Sequence, residues 1–410
     1  MGLDLVVFGL GYVGLPLARR ACAAGLSVTG VDVSRDVVAG LRAGRSHIGD
    51  IPDRDIAAML DVGFTATVNP APVGAADTVV ICVPTGLVDG EPDLGAVLSA
   101  ASAVARHLRP GTLVVLESTS YPGTTEEVLA PVLESGGLVA GADFHLAFSP
   151  ERIDPGNAEF SFENTPKVVG GLTPVCAKRC AAFYEDLVDT VVVAAGLREA
   201  ETAKLLENSY RLVNIALVDE LAVFCAGMDV DVWDVLRCAA TKPFGFQPFT
   251  PGPGVGGHCI PVDPQYLASR ARSAGLPATL ISTALAVTAG MPGYVARRAR
   301  DLLARVGPVP GARVVLVGVT YKADVADMRQ SPAVGVVRHL RAMGVQVSYH
   351  DPYVDEFTVD GVRVPSWSGD ADLAVVLQDH RRVDLGAVVR AARVVLDTRG
   401  VAVGDHVVRL

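Results

Sequence analysis

The sequence predicts an α/β fold in which parallel sheets towards the two ends of the chain are joined by a long central helix. Three observations lead to this prediction. Short apolar runs alternate with helical stretches over about the first 190 residues, which is typical of a parallel sheet covered by helices. Apolar residues then recur at helical spacings over residues 197–228. A second strand–helix–strand pattern begins after residue 311.

The chain opens with a strand, a glycine-rich turn and a helix. An apolar run at residues 5–8 leads into GLGYVG at residues 9–14, and a helical stretch follows. In a G-x-G-x-x-G turn the glycines permit a tight bend, a close approach to a pyrophosphate and close packing of the helix. The pattern predicts a dinucleotide site, and a glycine-rich turn in some other doubly wound protein is the alternative. The residues expected to line this site are Gly9, Gly11, Tyr12, Val13 and Gly14.

An acidic residue after the second strand indicates which dinucleotide is preferred. Residues 27–31 form that strand and Asp32 follows it, at the expected distance of about 20 residues from the turn. A carboxylate there bonds a ribose 2′-hydroxyl and repels a 2′-phosphate, so the sequence favours NAD over NADP. Arg35 lies close enough to weaken that preference.

Five further apolar segments continue the predicted sheet, at residues 78–83, 112–117, 144–148, 167–170 and 190–193. Ligands of a doubly wound sheet bind at the carboxyl ends of its strands. Small and polar residues follow three of these strands, so each is a candidate site segment, although ordinary turns are rich in such residues too. The three segments are CVPT at residues 82–85, EST at 117–119 and SPER at 149–152.

The central section is predicted to be one helix over residues 197–228, with Gly227 as its C-terminal stop. A helix of this length spans about 45 Å and suits the spine of a linking domain and a dimer contact. Lys204 and Asn208 lie four apart and project from one face. From spacing alone, a solvated pair is the default interpretation of these two side chains. The apolar face is predicted from Leu205, Leu212, Ala216 and Val223.

A single cysteine lies in a glycine-rich loop that reads GVGGHCIPVDP at residues 254–264. The glycines allow positive φ and a close approach of the backbone to a ligand. Cys259 is a candidate thiolate nucleophile if donors or cations surround it, and a buried cysteine in a tight turn is the alternative. His258 precedes Cys259. Adjacent loop residues often point apart, so we expect His258 to shape the backbone rather than to act as a base.

The last unit begins after a break rich in proline and glycine at residues 307–311. It echoes the first unit, with an acid after its second strand, but the G-x-G-x-x-G turn is missing. Its first loop instead carries Lys322 and Arg329, which predicts a second phosphorylated ligand, while solvent-exposed loop charges are the alternative. The strand, the helix with its serine cap and N-terminal proline, and the second strand are predicted at residues 313–319, 331–343 and 345–349.

The composition is that of a soluble enzyme with two or three domains. The chain has 410 residues, 50% of them hydrophobic, and a formal net charge of −10, which disfavours nucleic acid as a partner. We expect no uncharged apolar run near the roughly 18 residues that a membrane helix needs, and no secretory signal. The seven cysteines show no paired-ligand spacing, which predicts reduced thiols in the cytoplasm and no metal site.

Seven segments resemble those of the UDP-sugar 6-dehydrogenases, in the right order from one end of the chain to the other. The resemblance implies two Rossmann-like domains with parallel sheets joined by a long central helix. It implies an NAD-binding domain at residues 1–195, a central helical dimerisation domain carrying the cysteine loop at 196–305, and a UDP-sugar-binding domain at 306–410. The segments are GLGYVGLPLA (9–18), CVPT (82–85), YPGTTEE (121–127), FSPERI (148–153), KLLENSYRLVNIALVDEL (204–221), PGPGVGGHCIPVDP (251–264) and GVTYKADVADMRQSPA (318–333).

The reaction that the resemblance implies is a four-electron oxidation of the C6 alcohol of a UDP-sugar to the carboxylate, with two NAD and one water. Cys259 would capture the intermediate aldehyde and carry it, as thiohemiacetal and then thioester, through the second oxidation. A thiol suits this task because it is both a good nucleophile and a good leaving group. The partners implied are a UDP-sugar and further copies of the chain, in a homodimer or a higher homo-oligomer, with no nucleic acid and no membrane.

The matching motif positions imply roles for further residues. Lys204 and Asn208 would stabilise negative charge on the C6 oxygen. Asp263, with a water held by Thr119, would accept the proton of the alcohol, and Glu151 would be the base for thioester hydrolysis. Substrate would be bound by Glu151, Arg152, Lys204, Asn208, Gly256 and Lys322, and NAD, beyond the glycine turn, by Asp32, Thr85, Thr119 and Arg329.

The segment ERIDPG at residues 151–156 departs from the glucose-oxidising branch of these enzymes. It resembles the branch acting on N-acetylated amino sugars, such as UDP-N-acetylmannosamine or an N-acetylglucosamine or N-acetylgalactosamine counterpart. Val262 replaces a common lysine, and Gly86 replaces a common proline. UDP-glucose remains an alternative substrate. A single-oxidation hydroxyacid-type dehydrogenase and a non-catalytic nucleotide-sugar-binding protein are further alternatives, which the intact set of candidate catalytic residues disfavours.

Overall fold

The computed structural model describes residues 3–49, 51–154, 157 and 159–410. Pro155 and Gly156, the last two residues of the branch-specific segment, lie outside the described residues. By its internal contacts the chain divides into two compact units, which are described separately. The first unit comprises Met1–Glu207 and Gln265–Leu276, and the second comprises Asn208–Pro264 and Pro277–Leu410.

The first unit is built around an eight-stranded sheet and a small hairpin. The sheet order is β10-β9-β8-β7-β4-β1-β2-β3, and β5 pairs with β6 in the hairpin. The strands are β1 (Leu3–Phe8), β2 (Val28–Val31), β3 (Thr65–Thr67), β4 (Ala76–Ile81), β5 (Gly86–Val88), β6 (Glu91–Asp93), β7 (Leu113–Leu116), β8 (His145–Phe148), β9 (Lys167–Gly171) and β10 (Val191–Val193). The helices are α1 (Gly14–Ala23), α2 (Arg35–Arg42), α3 (Asp53–Asp61), α4 (Gly95–Ala105), α5 (Ala130–Glu134) and α6 (Pro174–Glu185), with a 3-10 turn at Ala71–Ala75 and a π turn at Thr124–Leu129.

Helices cover both faces of this sheet, which is why its strands are nearly continuous apolar runs. Successive side chains of a strand point to opposite faces. Accordingly, Leu5 and Val7 of β1 pack into the core beneath α1, α2 and α3. Val6 and Phe8 pack into the other core, beneath α4 and α5. The predicted α/β fold with helices on a large parallel sheet is confirmed.

One pair of strands departs from the parallel arrangement predicted for the first 190 residues. β8 and β9 pair antiparallel, and β10 continues parallel to β9. The reason lies in the connection from β8 to β9, which contains no helix in its described part, residues 149–154, 157 and 159–166. Parallel neighbours need a crossover connection, usually a helix, whereas antiparallel neighbours do not.

The long central helix is confirmed as α7 (Leu197–Gly227). It crosses the boundary between the two units after Glu207. Leu205, Leu212 and Ala216 are buried as predicted. The prediction was wrong for Val223, which is 41% exposed. Over the 31 residues of this helix, the apolar positions do not all lie on one face, because their spacing in the sequence drifts relative to the helical repeat.

The second unit holds a five-stranded parallel sheet in the order β12-β11-β15-β16-β17, with a separate hairpin of β13 and β14. Its strands are β11 (Arg313–Val317), β12 (Gln346–His350), β13 (Phe357–Val359), β14 (Val362–Val364), β15 (Ala371–Val376), β16 (Ala392–Asp397) and β17 (Val407–Arg409). Its helices are α8 (Val232–Ala240), α10 (Thr279–Val306), α11 (Pro332–Ala342) and α12 (Leu385–Ala391), and α9 (Cys259–Ser273) crosses the unit boundary after Pro264. The predicted serine cap of α11 is present, because the Ser331 hydroxyl accepts a hydrogen bond from the Ala333 amide.

The second sheet begins with the same local geometry as the first, although its glycine motif is incomplete. Gly9 has φ +86° and Gly318 has φ +74°, each directly after the first strand of its sheet. Asp32 accepts a hydrogen bond from the Leu10 amide at 2.9 Å. Asp351 accepts one from the Val319 amide at 2.6 Å. In both units the acid after the second strand therefore fixes the turn that follows the first strand.

One helix is longer and more apolar than the sequence analysis allowed for. By length and composition alone, α10 is long and apolar enough to cross a membrane. In its apolar stretch of 18 residues, 33% of the residues are buried. The prediction that no such run exists was therefore wrong. Its second half packs Val295, Ala299 and Leu303 into the core of the second unit, and buried core helices pass the same compositional test.

Candidate active site

The glycine turn between β1 and α1 leaves open space at one of its three glycines. A Cβ atom on Gly9 would lie 2.5 Å from the Cys82 carbonyl oxygen, and one on Gly14 would lie 1.9 Å from the Gly9 carbonyl oxygen. A Cβ atom on Gly11 would meet nothing within 4 Å. Gly9 and Gly14 thus serve close packing of strand and helix, while Gly11 borders the space that a pyrophosphate at the α1 N-terminus needs.

The other predicted cofactor residues of this turn differ in their surroundings. Tyr12 is 40% exposed, whereas Val13 packs against the core beneath α1. The Asp32 carboxylate accepts hydrogen bonds from the Leu10 amide and, at 2.8 Å, from the Ser34 amide. Each carboxylate oxygen has a second acceptor position, so Asp32 can hold the turn and still accept from a ribose hydroxyl.

Thr85 is buried just before the β5–β6 hairpin, which the sequence analysis did not predict. Helix α9 fastens this hairpin within the first unit. The Tyr266 hydroxyl donates to the Gly86 carbonyl at 2.8 Å, and Glu91 accepts from Ser269 at 2.5 Å and from Arg272 at 2.7 Å. The DG pair at the tip, a common hairpin signal, is the sequence feature that could have revealed it.

The loop that carries Thr119 is held by a buried carboxylate that the sequence analysis missed. Glu201 of α7 is fully buried and accepts hydrogen bonds from the Gly123 amide at 2.6 Å and the Thr125 amide at 2.9 Å. Lys204 follows Glu201 by three residues, which is about one helical turn, and is also buried. The loop after β7 is thereby fixed to the same stretch of helix that presents Lys204.

Glu151 belongs to a buried charge cluster formed by Cys82, Glu117, Glu151, Lys167 and Tyr184. The Lys167 ammonium lies 2.8 Å from Glu117 and 3.8 Å from Glu151. The Tyr184 hydroxyl and the Cys82 thiol both donate to the Glu117 carboxylate. The three polar segments predicted at the ends of β4, β7 and β8 therefore each supply one member of this cluster. Lys167 and Tyr184 were not predicted, because Lys167 lies inside a strand and Tyr184 inside a helix.

The environment of Glu151 suits a group that takes up and releases a proton. Burial raises the pKa of the Glu151 carboxyl above its ordinary value, the Lys167 ammonium opposes this rise and the Glu117 charge adds to it. Its neighbour Arg152 instead points to other partners, because its guanidinium lies 2.9 Å from Glu207 and donates to the Pro166 carbonyl at 2.7 Å.

In the second unit, Asn208 and Asp263 are in direct contact. The Asn208 side-chain amide donates to the Asp263 carboxylate at 2.6 Å, and both residues are buried. Cys259 is exposed and is the first residue of α9, with Asp263 four residues later on the same helix. The positive end of the helix dipole favours the negative charge of a thiolate at such a position.

The cysteine loop packs on the loop that carries Lys322. Cβ atoms on Gly256 and Gly257 would lie 2.6 Å and 2.7 Å from the Tyr321 side chain, and the Gly257 amide donates to the Arg329 carbonyl at 2.9 Å. Gly254 and Gly257 have positive φ, as the sequence suggested, but Gly256 does not. Gly256 is needed for the close approach of Tyr321 rather than for its own backbone conformation.

Two buried side chains hold the Lys322 loop from below. Asp351 accepts hydrogen bonds from the Val319 amide and from His380 Nε2, the latter at 3.0 Å. His380 Nε2 is the donor because His380 Nδ1 accepts a hydrogen bond from the Asp324 amide at 2.9 Å, which leaves the ring proton on Nε2. Lys322 is partly buried in this loop, and the Arg329 guanidinium bonds the Asp327 carboxylate at 2.6 Å.

The predicted site residues divide between the two units. Among the described residues, no group of three or more His, Cys, Asp or Glu side chains is arranged to hold a metal ion. The first unit contains Gly9, Gly11, Tyr12, Val13, Gly14, Asp32, Thr85, Thr119, Glu151, Arg152 and Lys204, and the second contains Asn208, Gly256, Cys259, Asp263, Lys322 and Arg329.

Comparison with known families matches three consecutive parts of this chain. Residues 3–188 match the NAD binding domain of the UDP-glucose/GDP-mannose dehydrogenase family, residues 198–289 match its central domain, and residues 315–403 match its UDP binding domain. The prediction of NAD as the cofactor is confirmed by the first match, and the coarser prediction of a UDP-containing ligand is confirmed by the third.

Individual relatives cover nearly the whole chain. A UDP-N-acetyl-D-glucosamine 6-dehydrogenase of Pseudomonas aeruginosa is 36% identical over 94% of this chain and 92% of its own length. A UDP-N-acetyl-D-mannosamine dehydrogenase of Yersinia pestis is 35% identical over 92% of this chain and 93% of its own. Among solved structures, the UDP-D-ManNAc dehydrogenase of Pyrococcus horikoshii is 31% identical, covers 99% of this chain and 98% of its own, and superposes with a TM-score of 0.89.

Proposed function

This chain belongs to the UDP-glucose/GDP-mannose dehydrogenase family, and we propose that it oxidises the C6 alcohol of a UDP-N-acetylhexosamine to the carboxylate. The reaction consumes two NAD and one water and releases two NADH. Both curated relatives described above are named for N-acetylated sugars, and so is the Pyrococcus structure. These names support an N-acetylated substrate rather than UDP-glucose.

The observation that carries this proposal is the arrangement at the start of α9. An exposed thiol at the helix N-terminus stands one turn before a carboxylate that is buried and bonded to an amide. A single-oxidation dehydrogenase needs no such thiol. Cys259, Asp263 and Asn208 together supply a nucleophile, a proton acceptor and a donor to a developing oxyanion.

NAD, when bound, accepts the two electrons and the hydrogen that leave C6 in each oxidation. The residues proposed to hold it are on the first unit. Gly11 borders the open space for the pyrophosphate, Asp32 accepts from the ribose, and Thr85 and Thr119 line the nicotinamide side. Arg329 completes the cofactor contacts.

In the first oxidation Asp263 accepts the proton of the C6 hydroxyl through a water held by Thr119, and the product is an aldehyde. Lys204 and Asn208 donate hydrogen bonds to the C6 oxygen and stabilise the negative charge that it carries at each tetrahedral stage. Both residues belong to α7 and lie four positions apart in the sequence.

The second oxidation proceeds on the cysteine. The Cys259 thiolate adds to the aldehyde carbon, and the resulting thiohemiacetal is oxidised to a thioester. Glu151 then takes a proton from a water molecule as that water attacks the thioester, the C–S bond breaks and the thiolate is restored. The raised pKa of Glu151 supports this role, since a base with a pKa nearer to neutrality also returns its proton readily.

The nucleotide part of the substrate is proposed to bind the second unit. Lys322 contacts its phosphates, and the backbone at Gly256 approaches it closely. Arg152 is proposed to contact the sugar end of the substrate. The packing of the cysteine loop on Tyr321 supports this assignment, because it brings the cysteine loop into direct contact with the Lys322 loop within the second unit.

We further propose a homodimer formed through the central section and a cytoplasmic location. Tyr210, Leu217 and Phe224 of α7 are spaced by seven residues and are 47%, 63% and 62% exposed in the single chain. An exposed apolar stripe of this kind on one helix face marks a protein interface. The division into domains at residues 1–195, 196–305 and 306–410 is supported by the positions of the three family matches.

Two experiments test these proposals. A panel of UDP-N-acetylmannosamine, UDP-N-acetylglucosamine, UDP-N-acetylgalactosamine and UDP-glucose is assayed for NADH absorbance. We expect an N-acetylated sugar to give the highest kcat/KM, and a preference for UDP-glucose would contradict the substrate assignment.

Sedimentation velocity should show a dimer that Leu217→Asp converts to monomer, and a monomeric wild type would contradict the interface.

A further inference from the structure

Glu117 is a fully buried carboxylate that the proposed reaction does not use. It directly follows β7, and both of its oxygens are occupied. One oxygen lies 2.8 Å from the Lys167 ammonium and also accepts from the Tyr184 hydroxyl. The other accepts from the Cys82 thiol at 3.5 Å. Glu117 therefore has the favourable contacts that an ionised carboxylate needs in a buried site.

Glu151 shares the same lysine but holds it less closely. Its Oε2 atom lies 3.8 Å from the Lys167 ammonium and makes no hydrogen bond within the described residues. Its other oxygen accepts from the Ile153 amide. Of the two carboxylates in the buried charge cluster, Glu151 is thus the one with fewer partners for a negative charge.

The surroundings of the cluster make its net charge important. The Lys167 ammonium lies over the rings of Phe162 and Tyr184, 5.4 Å and 5.0 Å from their centres. Two ionised carboxylates and one ammonium leave one negative charge uncompensated in this place, which is costly. A single proton on one carboxyl removes that charge, and the unequal contacts of Glu117 and Glu151 decide which of them receives it.

The thiols and the phenol around Glu117 and Lys167 do not change this balance. Burial raises the pKa of the Cys82 thiol, the Cys180 thiol and the Tyr184 hydroxyl, so these three groups are neutral. Lys204 on α7 is a further charged group that acts on Glu151, and it lowers the pKa of Glu151 less than Lys167 does.

We propose that Glu117 is a positioning residue, which retains the Lys167 ammonium and so leaves Glu151 as the carboxyl of the cluster that exchanges a proton. Lys167 is its counterpart, because its ammonium lies 2.8 Å from Glu117 and limits how strongly Glu151 holds its proton. The catalytic use of that proton in thioester hydrolysis rests on the proposed function. The distribution of charge does not.

The inference predicts opposite effects for two substitutions. In Glu117→Gln, Glu151 is the only carboxylate left for Lys167, so the Glu151 proton is held less tightly. The acid limb of the kcat–pH profile should move to lower pH by about one unit. In Lys167→Met, the cation is gone and two carboxylates remain, so the limb should move to higher pH by a similar amount. Lys167→Arg restores the charge and should restore the wild-type limb, and it provides the comparison if Lys167→Met does not fold.

A second readout is independent of turnover. Carbon-13 NMR of protein labelled at the glutamate carboxyl carbons follows the titration of Glu151 directly, with its resonance assigned by its loss in Glu151→Gln. Glu163→Gln is the matched control, since Glu163 lies on the same β8–β9 connection, 3.9 Å from Arg20 and half-exposed. It should leave both readouts unchanged.

The outcomes separate this inference from the proposed function. Opposite shifts of the Glu151 resonance in Glu117→Gln and Lys167→Met support the inference, even if the kinetic limb stays in place. In that case it is the catalytic task of Glu151 in the proposed function that fails. A Glu151 titration that stays unmoved in Glu117→Gln, or that shifts in the same direction in both variants, overturns the inference, because a merely structural role for Glu117 would lower stability without moving that titration.

Discussion

Glu201→Gln is the substitution that tests how the Thr119 loop is held. In the structure the Glu201 carboxylate accepts from the Gly123 amide at 2.6 Å through one oxygen, and from the Thr125 amide at 2.9 Å and the Thr125 hydroxyl at 2.7 Å through the other. Every one of these partners is a donor. A glutamine offers one oxygen and one NH₂ group, so in its better orientation the Gly123 amide faces a second donor.

The cost of that mismatch sets the size of the expected effect. A buried donor left without an acceptor costs about 1–3 kcal/mol, and about 2 kcal/mol corresponds to roughly 30-fold in the equilibrium for local opening. We therefore expect hydrogen exchange of the segment with Gly123 and Thr125, followed by mass spectrometry, to accelerate by about that factor. The KM for NAD should rise with it, because Thr119 lies in the same loop.

A matched control lies on the same helix. Glu199 is exposed, and Glu199→Gln should leave both exchange and KM unchanged. If exchange of the segment in Glu201→Gln stays within about twofold of the wild type, the carboxylate does not hold this loop and the reasoning is refuted.

Two further predictions concern the second unit. Gly257→Ala places a Cβ atom on a backbone with φ +81° and only 2.7 Å from the Tyr321 ring. The KM for the UDP-sugar should therefore rise at least about tenfold. Gly290→Ala is the control, because its Cβ atom would meet nothing within 4 Å, and it should leave this KM unchanged. Burial raises the pKa of Asp219 from 3.8 to about 7, so its contribution to stability is present below pH 3.8 and is lost as pH rises towards 7. Asp219→Asn should therefore flatten the decline in thermal midpoint across this range, and an unchanged slope would contradict the assignment.

The sequence predicted most of the fold because its strands and its long helix are carried by local patterns. The apolar run before GLGYVG, the acid Asp32 and the serine cap of α11 each depend on residues close together in the chain. The antiparallel direction of β9 relative to β8 could not be predicted in the same way. It depends on the path of the connection between the two strands, and the apolar sequence of a strand does not indicate its direction in the sheet.

The site shows the same division between local and non-local information. Motif positions predicted Glu151, Cys259 and Asp263 as site residues, and the polar segments after β4 and β7 were already candidates. Lys167 and Glu201 were missed, because a lysine in a strand and a glutamate in a helix carry no signal until the residues they bond are known. Their partners are distant in the sequence, as Lys167 and Glu117 illustrate.

The most direct test of the account is the number of NADH molecules formed for each UDP-N-acetylhexosamine consumed. NADH is followed by absorbance, and the sugar nucleotide and its acid are separated by chromatography at the end of the same reaction. We expect a ratio of two, with Cys259→Ser unable to complete the second oxidation. A ratio of one in the wild type, or full four-electron oxidation by Cys259→Ser, would contradict the covalent mechanism.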